Sequence, residues 1–249
     1  MPYFDSYRHR LYYREQGSGP LLLILHGNTA SSALHSGELD HFGGSAHAVA
    51  LDFWGCGRSE RCEVWPEDWW ARAGLDAVEC VEHLGEERAV LVGTSGGAIA
   101  ALWAAILRPE RVLAVVADSA VPHQPPSSLR AEVANRARHA PEQVAFWQQA
   151  HGDDWAQVVS ADSDLLLRLA ERGGDFFNGR LREITCPVLL TGSVGDPLLP
   201  DVGSQLLGML HQLPKGQLFL SSSGEHPLMW SEPAVFRPMA DAFLHKIWG

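Results

Sequence analysis

The stretch Ala89-Val90-Leu91-Val92-Gly93-Thr94-Ser95-Gly96-Gly97-Ala98-Ile99-Ala100-Ala101 decides how the chain is read. It opens as a short valine-rich apolar run and closes as an alanine-rich helical pattern, with Gly-x-Ser-x-Gly between them. A strand that reverses into a helix within about four residues brings two backbones almost into contact, and Gly93 and Gly97 supply the room. The residue at the corner is driven into a strained backbone conformation. That strain lifts the Ser95 hydroxyl clear of the sheet and aims the first amides of the helix at whatever the serine attacks. The same spacing also describes a plain glycine-rich strand-to-helix turn. The rest of the chain decides between the two.

Outward from the corner, strand-like and helix-like patterns alternate. Upstream, Tyr3 to Tyr7 and Arg10 to Glu15 read as β segments around a turn at Arg8-His9. Leu21–Leu25 is an unbroken apolar run, as in a strand covered on both faces, and ends in the polar loop His26-Gly27-Asn28. Ala46–Leu51 is a further strand, ending in the turn Asp52 to Ser59, and Pro66 to Leu84 reads as a helix. Downstream, the helix after Ser95 runs to about Leu107, and Val112–Ala117 is a strand ending at Asp118. From Val121 to Arg182, Pro122, Pro125 and Pro126 break the chain. Helical stretches follow at Ser128–His139, Pro141–Ala150, Trp155–Ser160 and Leu165–Glu171, with no strand-like run, which marks a helical insertion. Strand Pro187–Thr191 then resumes the pattern, with Asp196 in the turn behind it. A helix near Val202–His211, strand Gln217–Leu220, the loop holding His226, and a last helix capped by Ser231 with Pro233 in its first turn complete the chain.

Strands alternating with helices call for a mostly parallel sheet covered on both faces, an α/β chain. In such sheets ligands bind outside the carboxyl ends of the strands. His26–Asn28, Asp52–Ser59, Ser95, Asp118, Asp196 and His226 each directly follow a predicted strand.

Composition narrows the partners. A chain of 249 residues, 46% hydrophobic, can bury a full core, and its formal net charge of −11 argues against nucleic acid and anionic membranes. The N-terminal residues lack an apolar signal core, and no run approaches the roughly 18 apolar residues of a membrane span, so a cytoplasmic location is expected. Cys56, Cys62, Cys80 and Cys186 form no Cys-x-x-Cys pair, and they read as thiols of a reducing compartment with neither a disulfide framework nor a metal site. No cofactor motif stands out, and oligomeric state has no signal.

A serine hydroxyl is a poor nucleophile near neutral pH and needs a base. Imidazole suits, and a buried carboxylate fixes its tautomer and stabilises the imidazolium. Of twelve histidines, His226 is the expected base, in a tight Gly224-Glu225-His226-Pro227 loop after the last strand. His26 is its rival but belongs to a His-Gly turn with a structural role. Asp196 is the leading acid, with Asp118 the alternative on the neighbouring strand. The oxyanion needs two backbone N–H donors: Gly96 offers one at a helix start, and Asn28 the other from the loop after Leu21–Leu25.

In these elements the chain resembles α/β-hydrolase-fold enzymes almost end to end. The matching residues are His26-Gly27-Asn28, Asp52-x-x-Gly55-x-Gly57-x-Ser59, Gly93-x-Ser95-x-Gly97, Asp196 with Pro200 four residues on, and His226 before Pro227, in the order Ser, Asp, His. The resemblance implies an eight-stranded sheet flanked by helices, with residues 1–120 and 183–249 as the core and 121–182 as a helical cap. It also implies that Asp52–Ser59 is mainly a structural turn. Gly96 departs from the many relatives that carry Met, Gln or another larger residue there, and its missing side chain is expected to enlarge the pocket or loosen the corner.

The expected function is a cofactor-independent carboxylesterase, with Ser95, His226 and Asp196 acting on a small-molecule ester. Serine at the corner argues against haloalkane dehalogenase and epoxide hydrolase chemistry, which in this fold uses a carboxylate nucleophile. Phe146, Trp147, Trp155, Phe176 and Phe177 in the insertion, with Trp54 and Trp230, predict an apolar pocket, though packing between cap and core explains most of them better. Carbon–carbon bond hydrolases, proline-releasing aminopeptidases and a non-catalytic small-molecule receptor remain alternatives.

Overall fold

The computed structural model describes residues 2–6 and 9–249. Among these, eight strands form one sheet in the order β1-β2-β4-β3-β5-β6-β7-β8. They are β1 (Tyr3–Asp5), β2 (Arg10–Gln16), β3 (Leu21–Leu25), β4 (His47–Asp52), β5 (Ala89–Thr94), β6 (Val112–Asp118), β7 (Val188–Ser193) and β8 (Gly216–Ser221). The pairs β1–β2 and β2–β4 are antiparallel, and every pair from β4 to β8 is parallel. The first strand ends at Asp5 rather than running on to Tyr7. Tyr7 and the Arg8 half of the expected turn lie outside the described residues.

The helices are α1 (Ser36–Phe42), α2 (Trp69–His83), α3 (Gly96–Leu107), α4 (Pro126–Arg136), α5 (Pro141–His151), α6 (Trp155–Glu171), α7 (Val202–Leu210), α8 (Leu228–Ser231) and α9 (Pro233–Trp248). The continuous apolar run of β3 divides by alternation between two cores. Leu21, Leu23 and Leu25 face α2, α3 and the inserted helices, whereas Leu22 and Ile24 face α1 and α9. Both faces of the strand are thereby dry, so its backbone groups are satisfied only within the sheet.

Helices α4 to α6 lie between β6 and β7, where the sequence placed an insertion. Two stretches expected as separate helices, Trp155–Ser160 and Leu165–Glu171, are one helix, α6. The gap between them holds the polar run Asp162-Ser163-Asp164. Asp162 sits on the buried stripe with Val158, Leu165 and Leu169, fully enclosed and paired with Arg136. The stripe of α6 belongs to the same apolar cluster as α2 and α3, so the insertion shares the main core. Among the described residues, no helix is long and apolar enough to cross a membrane.

Candidate active site

Parallel register brings the functional residues to one edge of the sheet. Leu25 pairs with Gly93, Thr94 with Asp118, and Asp118 with Thr191, so the loops after β3, β5, β6 and β7 leave side by side. Ser95 turns the corner at φ 53° and ψ −123°, a conformation that non-glycine residues rarely adopt. A Cβ at Gly93 would collide with the Gly97 carbonyl, and one at Gly97 with the Leu25 carbonyl. The two glycines are therefore required by the packing of corner against strand.

Ser95 Oγ donates to His226 Nε2 at 2.9 Å, and His226 Nδ1 donates to Asp196 Oδ2 at 2.7 Å. An ionised carboxylate accepts only, so the Asp196 contact places the neutral imidazole's proton on Nδ1 and leaves Nε2 free to take the serine proton. Asp196 is itself held, its Oδ1 accepting from the N–H groups of Leu198 (2.9 Å) and Leu199 (3.2 Å). Ser193 Oγ donates to the Gly224 carbonyl at 2.7 Å, joining the loop of the acid to that of the base.

Ser231 does not cap α9; the residue before that helix is Glu232, which makes no side-chain cap. Ser231 Oγ instead accepts from Glu225 N–H at 2.9 Å and lies 2.9 Å from the Pro227 carbonyl, clamping the His226 loop on itself. A serine inside a short helix can turn back onto a loop because that helix ends before its hydroxyl is needed as a cap.

Asp118, the alternative acid, is not bonded to His226. Its carboxylate accepts from Thr191 Oγ1 (2.7 Å), Met229 N–H (3.0 Å) and Thr94 Oγ1 (3.2 Å). Burial pushes its carboxyl up to about 6, against the opposing pull of Thr191 and Met229. His26 is likewise occupied: its Nε2 accepts from Phe53 N–H at 3.2 Å, its Nδ1 lies 2.8 Å from the Gly27 carbonyl, and burial pulls its pKa down to about 3. It staples the loop after β3 to that after β4. In the Asp52 turn, Ser32 and Arg58 N–H groups donate to the carboxylate (2.6 and 2.7 Å), and Ser59 Oγ donates to the Asp52 carbonyl (2.6 Å).

The N–H groups of Asn28 and Gly96 lie beside Ser95, and among the described residues neither has a partner within the chain. Gly96 borders the inner recess and lies against Asn28. A Cβ there would collide with Asn28 Oδ1, so the space is already filled by the Asn28 amide. That amide is fixed from two sides: Trp70 Nε1 donates to Oδ1 at 3.3 Å, and Nδ2 donates to Asp162 Oδ1 at 3.1 Å. Asp162 Oδ1 also takes Arg136 Nη1 at 2.8 Å, and Arg136 bonds Glu132 through its other nitrogen. Sequence reasoning missed this network. Its signal was a carboxylate on the apolar stripe of α6, which calls for a buried partner.

Two cavities open onto Ser95. The outer, of about 300 Å³, is lined by His226, Trp230, Phe146 and Trp147 and also by Glu132, Asn135, Arg136 and Gln143. The predicted aromatic lining is thus present in part, in Phe146, Trp147 and Trp230, beside polar side chains. Trp155 and Phe177 pack elsewhere, on Trp147 (5.3 Å) and Trp103 (6.1 Å), and Trp54 stacks on His9 (3.7 Å). The inner recess, of about 40 Å³, lies behind Gly96 and includes Phe176. Among the described residues no three His, Cys, Asp or Glu side chains gather as a metal would require, and all four cysteines are free and buried.

A strained serine at a strand-to-helix corner, followed in space by histidine and aspartate, defines a class of fold and site shared by many enzymes. The family model described as alpha/beta hydrolase fold matches residues 20–144, and the chain belongs to that family. Over 114 residues it is 33% identical to haloalkane dehalogenase 2 of Mycobacterium tuberculosis, covering 46% of this chain and 40% of that protein. Over 120 residues it is 34% identical to 2-(acetamidomethylene)succinate hydrolase of Mesorhizobium japonicum, covering 48% and 42%. The chain therefore spans less than half the length of these curated relatives. A crystal structure of E-2-(acetamidomethylene)succinate hydrolase superposes with a TM-score of 0.79 over 98% of both chains at 22% identity, a likeness of fold. The family match ends before Asp196 and His226, so those two residues stand on their place in the sequence and on geometry.

Proposed function

We propose that this chain is a cofactor-independent serine hydrolase, acting as a carboxylic ester hydrolase. Its core is residues 1–120 and 183–249, and 121–182 forms the cap. Ser95 is the nucleophile, His226 the base, Asp196 the acid that orients it, and the N–H groups of Asn28 and Gly96 hold the oxyanion. The observation that carries the reading is the unbroken run Ser95 Oγ, His226 Nε2, His226 Nδ1, Asp196 Oδ2, at 2.9 and 2.7 Å. Ser95 Oγ attacks the ester carbonyl as its proton passes to Nε2, and the imidazolium is stabilised by Asp196. The negative oxygen meets two unpaired backbone donors, each typically worth about 3 kcal/mol in the transition state. Water then releases the acyl group by the same relay.

The dehalogenases among the relatives are a poor guide to substrate, because a hydroxyl rather than a carboxylate stands at the corner. A second reading, hydrolysis of a more polar amide- or carboxylate-bearing substrate, is favoured by the polar cap wall of Glu132, Asn135, Arg136 and Gln143. It also fits the substrate named in 2-(acetamidomethylene)succinate hydrolase.

Labelling by a compact fluorophosphonate tests the shared mechanism: wild type is expected to label and Ser95→Ala to lose the label. Equal labelling of the two sinks the reading. Rates on p-nitrophenyl acetate, the corresponding anilide and a ring-fission diketone then rank ester, amide and carbon–carbon cleavage.

A further inference from the structure

The two cavities at Ser95 differ in one respect that bears on substrate class. The outer one includes His226, and the inner recess touches Ser95 and Gly96 without touching His226. In acyl transfer these positions are not equivalent. Ser95 Oγ forms a bond to the carbonyl carbon and its proton goes to His226 Nε2. The bond from that carbon to the leaving oxygen then breaks, and Nε2 returns the proton to the departing oxygen. The leaving group must therefore lie within hydrogen-bond reach of His226, which places it in the outer cavity. The acyl chain, on the other side of the tetrahedral carbon, points away from His226.

From this we infer that the inner recess is the acyl pocket, and that the substrates are esters of short acyl groups with larger leaving groups; the inference rests on the serine-hydrolase reading. Its walls mix the buried apolar side chains of Ile99, Leu166, Phe176 and Leu199 with the polar ones of Gln124 and Glu132. Its volume is about 40 Å³, whereas the outer cavity offers about 300 Å³. A single water needs about 10–15 Å³ of such space, so the recess has room for about three carbon groups beyond the carbonyl. Acetyl to butanoyl chains fit, and longer chains must displace core side chains packed to crystal-like density. Leu166 comes from α6 and Phe176 from the segment behind it, so the cap supplies part of the ceiling on acyl length.

The test is kcat/KM on p-nitrophenyl acetate, butanoate, hexanoate and octanoate, with the leaving group held constant. Wild type is expected to prefer acetate or butanoate and to fall at least tenfold by octanoate. Leu166→Ala deepens the recess and should move the optimum to hexanoate. Ala120→Val fills it and should cut butanoate at least fivefold while acetate changes little. A compact fluorophosphonate applied to each protein separates the outcomes. Failure of wild type to label overturns the serine-hydrolase reading and the acyl assignment with it. Normal labelling, with octanoate turned over as fast as acetate or with the profile unmoved in both labelled variants, overturns the acyl assignment alone.

Discussion

The ends of β6 and β7 carry the same residue type at the same edge of the sheet, and put it to different use. Asp118 closes β6 with its carboxylate between Thr94 and Thr191, the residues beside it in register on both neighbouring strands. Asp196 lies in the turn three residues beyond β7, free of the sheet and bonded to His226. A carboxylate still in register is captured by its neighbours, whereas one carried past the strand end reaches a side chain from a third loop. Asp118 touches the segments bearing all three members of the proposed triad, through Thr94, Thr191 and Met229, yet meets His226 through none of them.

Exchanging each carboxylate for its amide breaks or sharpens that contrast. The largest effect is expected for Asp196→Asn, a fall of about 10³–10⁴ in kcat with KM nearly unchanged, because the amide can hold His226 in the wrong tautomer. A near-normal Asp196→Asn enzyme would pass the role to Asp118. Asp162→Ala, which leaves buried Arg136 with Glu132 alone and frees the Asn28 amide, is expected to cost about 3 kcal/mol in denaturant unfolding. Next comes Asp118→Asn, with a loss of about 1–3 kcal/mol in the same assay and kcat kept within about tenfold.

The smallest effect is a slope with pH. Folded Asp118 keeps its proton up to about pH 6, against about 4 in the unfolded chain. The folded state thus binds the extra proton in that window, and this group's contribution to stability falls as pH rises from about 4 to about 6. His151 acts oppositely. Buried between Gly57 N–H and the Thr29 carbonyl (3.0 and 3.1 Å), it stays neutral down to about 4, whereas the unfolded imidazole charges near about 6.5. Its contribution is lost as pH falls through that range. Thermal unfolding between pH 4 and 6.5 should therefore tilt toward greater stability at high pH in Asp118→Asn and the other way in His151→Gln, each on the order of 1 kcal/mol. Parallel curves for wild type and both variants would remove the two groups from the balance.

Much of this edge was legible in the chain. Unbroken apolar runs signal parallel strands, each followed by a polar loop, and Gly93, Ser95 and Gly97 signal the corner, because period and steric demand are local properties. The acid was legible as two candidates, Asp196 and Asp118, since which one meets His226 depends on strand register. What meets the missing side chain of Gly96 was not legible for a related reason: Asn28 comes from a loop 68 positions earlier. The partner of Asp162 was not legible either, because Arg136 lies on another helix.

The sequence by itself determined the alternation of strands and helices, the serine corner with its two obligatory glycines, and a set of polar residues at strand ends. These follow from backbone sterics and from side-chain periodicity. Only the tertiary structure decided which of two aspartates joins the histidine, what occupies the space at Gly96, and how the room around Ser95 divides into a wide cavity that includes His226 and a narrow recess that does not. Each of those depends on side chains from separate elements converging on one point, and convergence is set by the packing of the elements rather than by the order of their residues.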